Sequence, residues 1–222
     1  MTEQDRSIVV ETLEQRIGII TFNRSAKRNA LSKALLEDVR NTLEMFRQSE
    51  VRVVILRAAA DARVWSAGHD VGELPRGHID PLGYDDPLEM TLRAVQRFPG
   101  PVIAMVTGAV WGGACEFVFT CDLIVAVRTA SFAITPARLG VPYNTAGVAH
   151  LLSTLPLNIA KELFFTADPI SAEAAASYGV VSRLAADTEE MTTTATELGR
   201  RIASLAPLAI RAIKGEMTAL TD

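Results

Sequence analysis

Cysteine is scarce in this chain. Cys115 and Cys121 are its two cysteines, and both fall in one apolar segment. Six residues apart on a helix, they do not face each other, so a disulfide between them is not expected. So little cysteine suits a reducing compartment, and the expected location is the cytoplasm. Histidine is nearly as sparse. His69, His78 and His150 show no metal-ligand spacing, so no metal is expected. There is no basic run, and a formal net charge of −4 argues against nucleic acid as a partner. Any bound phosphates need a local cluster of Arg and Lys instead. No apolar run is long enough to span a bilayer, so no membrane partner is expected. The opening residues MTEQDRS are polar and carry acids, unlike a signal or transit peptide. Disorder is not expected either. A chain of 222 residues that is 49% hydrophobic can bury one large core, or a core plus an appendage.

What the chain does have is one dense stretch, Pro101 to Cys121, reading PVIAMVTGAVWGGACEFVFTC. An apolar run of strand length comes first, then Gly108, Gly112 and Gly113, then a helix-compatible run. The first N–H groups of such a helix have no partner within it and favour negative charge in front of them. Glycine lets a ligand atom approach the backbone closely. Glu116 then falls in the first turn. Taken alone, the stretch fits either half of an oxyanion hole with a carboxylate beside it, or a close-packed strand–helix turn.

The remaining chain alternates strand and helix. Ile8–Val10 and Ile17–Phe22 read as a hairpin. Residues 23–29 form a polar, basic loop, and Ser32 caps a helix over about 33–48 with Leu35, Leu36, Val39, Leu43 and Phe46 on one face. Val53–Leu56 is a buried strand. A long loop from Arg57 to Asp85 follows, and loops of that length inside a domain are often functional. Asp86 and Pro87 start the next helix. After the central stretch come strands at 123–127 and 131–134, a Pro- and Gly-rich loop at 135–144, and helices near 146–155 and 158–165. Ser171 caps a further helix closed by Gly179, a short strand follows at 180–183, and two helices run from Asp187 and from Pro207. The pattern predicts an α/β fold with mainly parallel pairing. Residues 1–186 are expected to form the core and 187–222 a helical appendage that serves oligomerisation.

Three segments together resemble the crotonase (enoyl-CoA hydratase/isomerase) superfamily: Asn23-Arg24 with Asn29-Ala30-Leu31-Ser32, then Ser66-Ala67-Gly68-His69-Asp70-Val71, then Gly108 with Trp111 to Glu116. The resemblance implies a spiral of repeated ββα units, an acyl-coenzyme A thioester as partner, and assembly as a homotrimer or a dimer of trimers. Coenzyme A would enter as part of the substrate, with no separate cofactor. By motif position the thioester oxygen is held by the N–H groups of His69 and Gly113. Preorganised donors of this kind are typically worth about 3–4 kcal/mol each in the transition state. Arg24, Lys27, Arg28, Ala67, Gly68, Asp70, Val71, Leu74, Trp111, Gly112, Thr135 and Pro136 are expected to line the substrate and coenzyme site. Arg63 joins Lys27 and Arg28 as a candidate phosphate contact.

The departures from the family pattern narrow the activity. Hydratases of the family use two glutamates around one water. The first corresponds to Glu116; the second falls at Ala137, which carries no proton. Residues 67–75, 80–88 and 135–144 resemble instead the branch of the family that decarboxylates methylmalonyl-CoA to propionyl-CoA. There a tyrosine at the position of Tyr143 hydrogen-bonds the departing carboxylate. The expected function is therefore decarboxylation of a malonyl-type thioester through an enolate, with His69, Gly113, Tyr143 and Glu116 as the catalytic set. A single-glutamate hydratase-like enzyme and a non-catalytic acyl-CoA-binding scaffold are the alternatives. Members of the family usually continue past the helix at Pro207 with helices that pack on a neighbouring subunit and help cover the coenzyme. The sequence here runs to Asp222; where that cover is missing, the protein is expected still to trimerise through its core but to bind coenzyme A weakly.

Overall fold

The computed structural model describes residues 7–14, 16–60, 62–73 and 83–221. Two sheets organise it. The larger has six strands in the order β1 (Ile8–Leu13), β2 (Ile17–Phe22), β3 (Val53–Ala58), β5 (Val102–Val106), β7 (Leu123–Val127) and β10 (Arg183–Ala185). β1 and β2 pair antiparallel as the expected hairpin; every other neighbour pair is parallel. The smaller sheet orders β4 (Val64–Ser66), β6 (Ala109–Trp111), β8 (Ser131–Ala133) and β9 (Ile170–Ser171).

The chain visits the two sheets in turn. β3 leads to β4 and then to helix α2 (Pro87–Arg97). β5 leads to β6 and then to α3 (Gly113–Thr120). β7 leads to β8, and after a short 3-10 turn to α4 (Thr145–Thr154) and α5 (Leu157–Thr166). This is a spiral of ββα turns. Burial on both faces explains the unbroken apolar runs of β2, β3 and β5, since helices and the second sheet leave neither face wet. Phe22, Trp65 and Phe117 meet at the centre, with ring centroids 5.0 to 6.2 Å apart.

Helix α1 (Lys33–Gln48) follows its expected span, capped by Ser32 and burying Leu35, Leu36, Val39, Leu43 and Phe46. Three expectations shift. The loop from Arg57 contains strand β4, too short for its alternation to show. A second short strand, β6, stands between Gly108 and Gly112, because Gly108 at φ 65 turns the chain into the smaller sheet rather than into the helix. The strand expected at 180–183 is formed by 183–185, since Val180 and Val181 N–H groups close the preceding helix α6 (Ala172–Ser177) on Ala175. The helix from Asp187, α7 (Thr188–Ala203), docks on strands already laid down, packing against β2, β3, β5, β7 and β10. Its small residues Ala195, Gly199 and Ala203 are buried. The final helix, α8 (Pro207–Thr221), is mostly exposed, apart from buried Lys214. Among the described residues no helix is long and apolar enough to cross a membrane.

Candidate active site

The site begins with a brace. Asn29 is fully buried at φ 49, a conformation asparagine tolerates better than most residues. Its side chain accepts from Arg24 N–H at 2.9 Å and donates to the Trp65 carbonyl at 3.0 Å, while its carbonyl accepts from Ser66 Oγ at 2.7 Å. The Ala67 N–H donates to the Arg28 carbonyl at 2.9 Å. The first two family segments are thereby tied together, and their junction presents Gly68 and His69.

A parallel bridge joins Leu31 to His69. It uses the Gly68 carbonyl, which accepts from Leu31 N–H, and the Asp70 N–H, which donates to the Leu31 carbonyl. Alternation along a strand then turns the His69 N–H the other way, toward the start of α3. Gly68 sits at φ 87, and a Cβ there would come within 2.4 Å of the Trp111 carbonyl oxygen and 3.3 Å of the Gly113 nitrogen. Only glycine permits that approach. The His69 nitrogen lies 3.8 Å from where a Cβ of Gly113 would stand. Gly113 is the first residue of α3, so its N–H has no partner in the helix. Neither N–H finds a protein acceptor among the described residues. Two backbone N–H groups, one from a bridge-ending loop and one from a helix start, thus lie close together.

One turn further along α3 stands Glu116, 1% exposed. Tyr143 donates its hydroxyl hydrogen to Glu116 Oε2 at 2.7 Å. Burial pushes the Glu116 carboxyl up to about 7; the Tyr143 hydrogen bond opposes the rise and the nearby charge of Glu89 adds to it. Burial, then the Glu116 charge, pushes the Tyr143 phenol well above its ordinary range. The Tyr143 ring packs edge-on against Phe164 at 5.1 Å. Gly147 lies beneath the pair, where a Cβ would come within 2.4 Å of the Tyr143 ring and 2.8 Å of Glu116 Oε1.

The other expected residues fall in three places. Trp111, Gly112 and Thr135 surround the donor pair, with Thr135 Oγ1 3.3 Å from a would-be Cβ on Gly112. Pro136 and Ala137 join Ile134, Val141 and Tyr143 around an apolar cavity of about 470 Å³. Lys27, Arg28 and Arg63 are exposed at the edge of the loops that carry the donors, whereas Arg24 bonds to the Ala30 carbonyl and to Ser32 within its own loop. Asp70 Oδ1 accepts from Gly72 N–H, and Val71 is exposed. Leu74 lies outside the described residues. Cys115 and Cys121 are free and buried, and burial pushes both thiols up, so they stay packing groups.

The structure adds one residue that the sequence reading missed. Glu89, on α2, is buried and shares with Glu116, Thr120, Asn144 and His150 a cleft of about 430 Å³. Its only sequence signal is its place beside Leu88 and Leu92 on the flank of an apolar face, which many surface glutamates share.

The comparisons match this geometry. The model of the enoyl-CoA hydratase/isomerase family matches residues 12–222. The chain belongs to that family. It is 44% identical over 207 residues to the methylmalonyl-CoA decarboxylase of Escherichia coli (strain K12), covering 93% of this chain and 79% of that one. It is 30% identical over 208 residues to a short-chain-enoyl-CoA hydratase of Clostridium acetobutylicum, covering 93% and 79%. A crystal structure of methylmalonyl-CoA decarboxylase complexed with 2S-carboxypropyl CoA superposes with a TM-score of 0.94 at 42% identity, covering all of this chain and 84% of that one. The ββα spiral is thus the family's fold.

Proposed function

We propose that the protein is a carboxy-lyase that decarboxylates a malonyl-type coenzyme A thioester, with methylmalonyl-CoA giving propionyl-CoA and CO₂. The thioester oxygen sits between the His69 and Gly113 N–H groups. The C–CO₂⁻ bond breaks, its electron pair flows into the thioester carbonyl, and the two donors hold the resulting enolate oxygen. The reaction needs no base and no separate cofactor. It needs the breaking bond held perpendicular to the thioester plane, an orientation that a hydroxyl in contact with the carboxylate supplies. Tyr143 is the residue assigned to that contact. Lys27, Arg28 and Arg63, exposed on the neighbouring loops, are assigned to coenzyme phosphates.

One observation carries this reading. Glu116, in the first helical turn after Gly113, is bonded by the Tyr143 hydroxyl, and alanine stands at 137, the position by motif of a hydratase's second glutamate. A single-glutamate hydratase is the second reading, favoured by the finding that Glu89 brings another carboxylate into the cleft. Release of CO₂ from a panel of malonyl-type thioesters, run beside hydration of crotonyl-CoA, separates the two. Decarboxylation is expected to dominate, and Ala137→Glu is expected to slow it by placing a second negative charge near the substrate carboxylate. Robust hydration abolished by Glu116→Gln would overturn the assignment.

The proposed assembly is a homotrimer or a dimer of trimers in the cytoplasm. Large exposed apolar side chains support it, among them Phe165 at 79% and Leu220 at 85% exposure. The two unpaired cysteines support the compartment.

A further inference from the structure

Tyr143 cannot give its hydrogen to a substrate carboxylate while giving it to an ionised Glu116. With Glu116 neutral, the pair carries two O–H groups and needs one for the bond between them, so one remains for the substrate. With Glu116 ionised, the Tyr143 hydrogen is consumed and the pair meets an incoming carboxylate with negative charge. The protonation of Glu116 therefore decides whether this pair attracts or repels the group that must leave.

What surrounds the pair bears on that choice. Glu89 enters from α2, 7% exposed. Its Oε1 accepts from Asn144 Nδ2 at 2.6 Å. Asn144 is also the N-cap of α4, its Oδ1 accepting from Gly147 N–H at 2.8 Å. So Glu89 grips the residue next to Tyr143, in the turn that lies under Glu116. The arginine one turn along the same helix is shared with another group. Arg93 stacks over the Tyr84 ring at 3.9 Å, donates to the Tyr84 carbonyl, and reaches Glu89 Oε2 only at 3.9 Å. The other polar groups facing the cleft are Gln96 from α2, Thr145 and His150 from α4, Thr221 from α8, and on α3 Thr120, whose Oγ1 lies 3.1 Å from His150 Nε2; Tyr143 reaches Glu116 from the turn. Cys115, beside Glu116, remains a thiol.

We propose that Glu89 is a positioning residue for this site, fixing the Tyr143 turn through Asn144 and standing as a second buried carboxylate in the cleft that Glu116 lines. The proposal rests on the decarboxylation reading for its consequence in turnover, though not for its effect on Glu116. A carboxyl pushed up to about 7 is poised so that losing one like charge matters near neutral pH.

The test is Glu89→Gln, which keeps an oxygen to accept from Asn144 and deletes the charge. Carbon-13 carboxyl NMR reads the Glu116 midpoint without turnover. The midpoint is expected to fall by about one pH unit. If decarboxylation is the activity, the alkaline limb of its pH profile moves down by the same amount. The variant then loses about tenfold in kcat/KM at pH 8 and less than about twofold at pH 5.5. Asn144→Ser keeps a helix cap and the Glu89 charge but removes the grip; kcat is expected to fall while the Glu116 midpoint stays. An unchanged midpoint in Glu89→Gln overturns the proposal. A shifted midpoint in a protein that releases no CO₂ sustains Glu89 and sinks the decarboxylase reading instead. Should Glu89→Gln not fold, Arg93→Met, which removes the arginine 3.9 Å from Glu89 and leaves its Asn144 bond in place, is expected to raise the midpoint; a midpoint that stays put would again overturn the proposal.

Discussion

Helix α3 has a charge cluster at each end, and the two are built on opposite rules. At its far end Lys214, reaching in from α8, donates from one ammonium to the carbonyls of Val95 at 3.0 Å and Gly100 at 3.1 Å and to Asp122 Oδ2 at 2.7 Å. The same Asp122 oxygen accepts from the Val102 N–H at 2.7 Å. Opposite charges meet and all three ammonium hydrogens are used. At its near end two carboxyls, Glu116 and Glu89, share a cleft with one arginine, Arg93, which lies 3.9 Å from Glu89 Oε2. Charges there are alike and only partly satisfied. A structural cluster neutralises itself; a reactive one is left biased, so that a substrate or a proton completes it. Each difference between the ends can be broken separately.

The largest effect is expected from Lys214→Met. Asp122 would then remain partly buried without its cation, and two carbonyls would lose their donor. A loss of about 3–5 kcal/mol of unfolding free energy is expected, measured by urea denaturation at pH 7. Adding Asp122→Asn should restore part of it. A single variant within about 1 kcal/mol of the parent would show that the cluster does not pin α8.

Glu116→Gln sets the opposite sign at the other end. The folded protein holds this carboxyl up to about 7 against an ordinary 4.5. A raised acid favours the folded state only while protonated. Its contribution is therefore fully present below about pH 4.5, lost as pH rises toward 7, and gone above it. The cost at pH 8 is at most about 3 kcal/mol. Glutamine cannot ionise, so the variant is expected to be more stable than the parent at pH 8 and near parity at pH 5. Equal offsets at both pH values, read by thermal melts, would mean that burial does not perturb Glu116.

Much of this was legible in the sequence, and what was not has a physical reason. Helix α1 could be drawn from Ser32 and five apolar positions because a cap and a 3.6-residue period are local facts. The donor pair was expected from the resemblance of the His69 and Gly113 motifs to the family, and glycine at 68, 112 and 113 agrees with a backbone that must come close. Strands β4 and β6, three residues each, carry too little alternation to announce themselves. Glu89 and Lys214 were invisible for a different reason. Each is an ordinary polar residue on its own helix, and each acquires meaning only from groups far along the chain, Asn144 in one case and Asp122 in the other. The Tyr143–Glu116 bond is of the same kind: both residues were singled out, but their contact was not.

Tyr143→Phe tests that contact. It deletes the hydroxyl and keeps the ring on Phe164. A hydrogen bond to a charged group is worth about 1.5–3 kcal/mol, so kcat/KM for decarboxylation is expected to fall by roughly one to two powers of ten. Affinity for propionyl-CoA, which has no carboxylate, should barely move. The Glu116 midpoint should rise, because the Tyr143 bond now lowers it. If rate and product affinity fall together, Tyr143 is an anchor and not an orienting group.

The smallest effect belongs to a control that separates charge from burial. Arg128 and Glu173 pair at 2.8 Å, geometry as good as that of Lys214 with Asp122, yet both side chains are more than half exposed. Water already solvates each partner, and holding two long side chains together costs entropy. A double-mutant cycle with Arg128→Ala and Glu173→Ala is expected to give a coupling of about 0–1 kcal/mol, shrinking further in high salt. Close contact is then shown to be insufficient, and enclosure is what makes the clusters at the two ends of α3 matter. A coupling as large as the effect of Lys214→Met would reverse that conclusion, since ion-pair geometry alone would account for both.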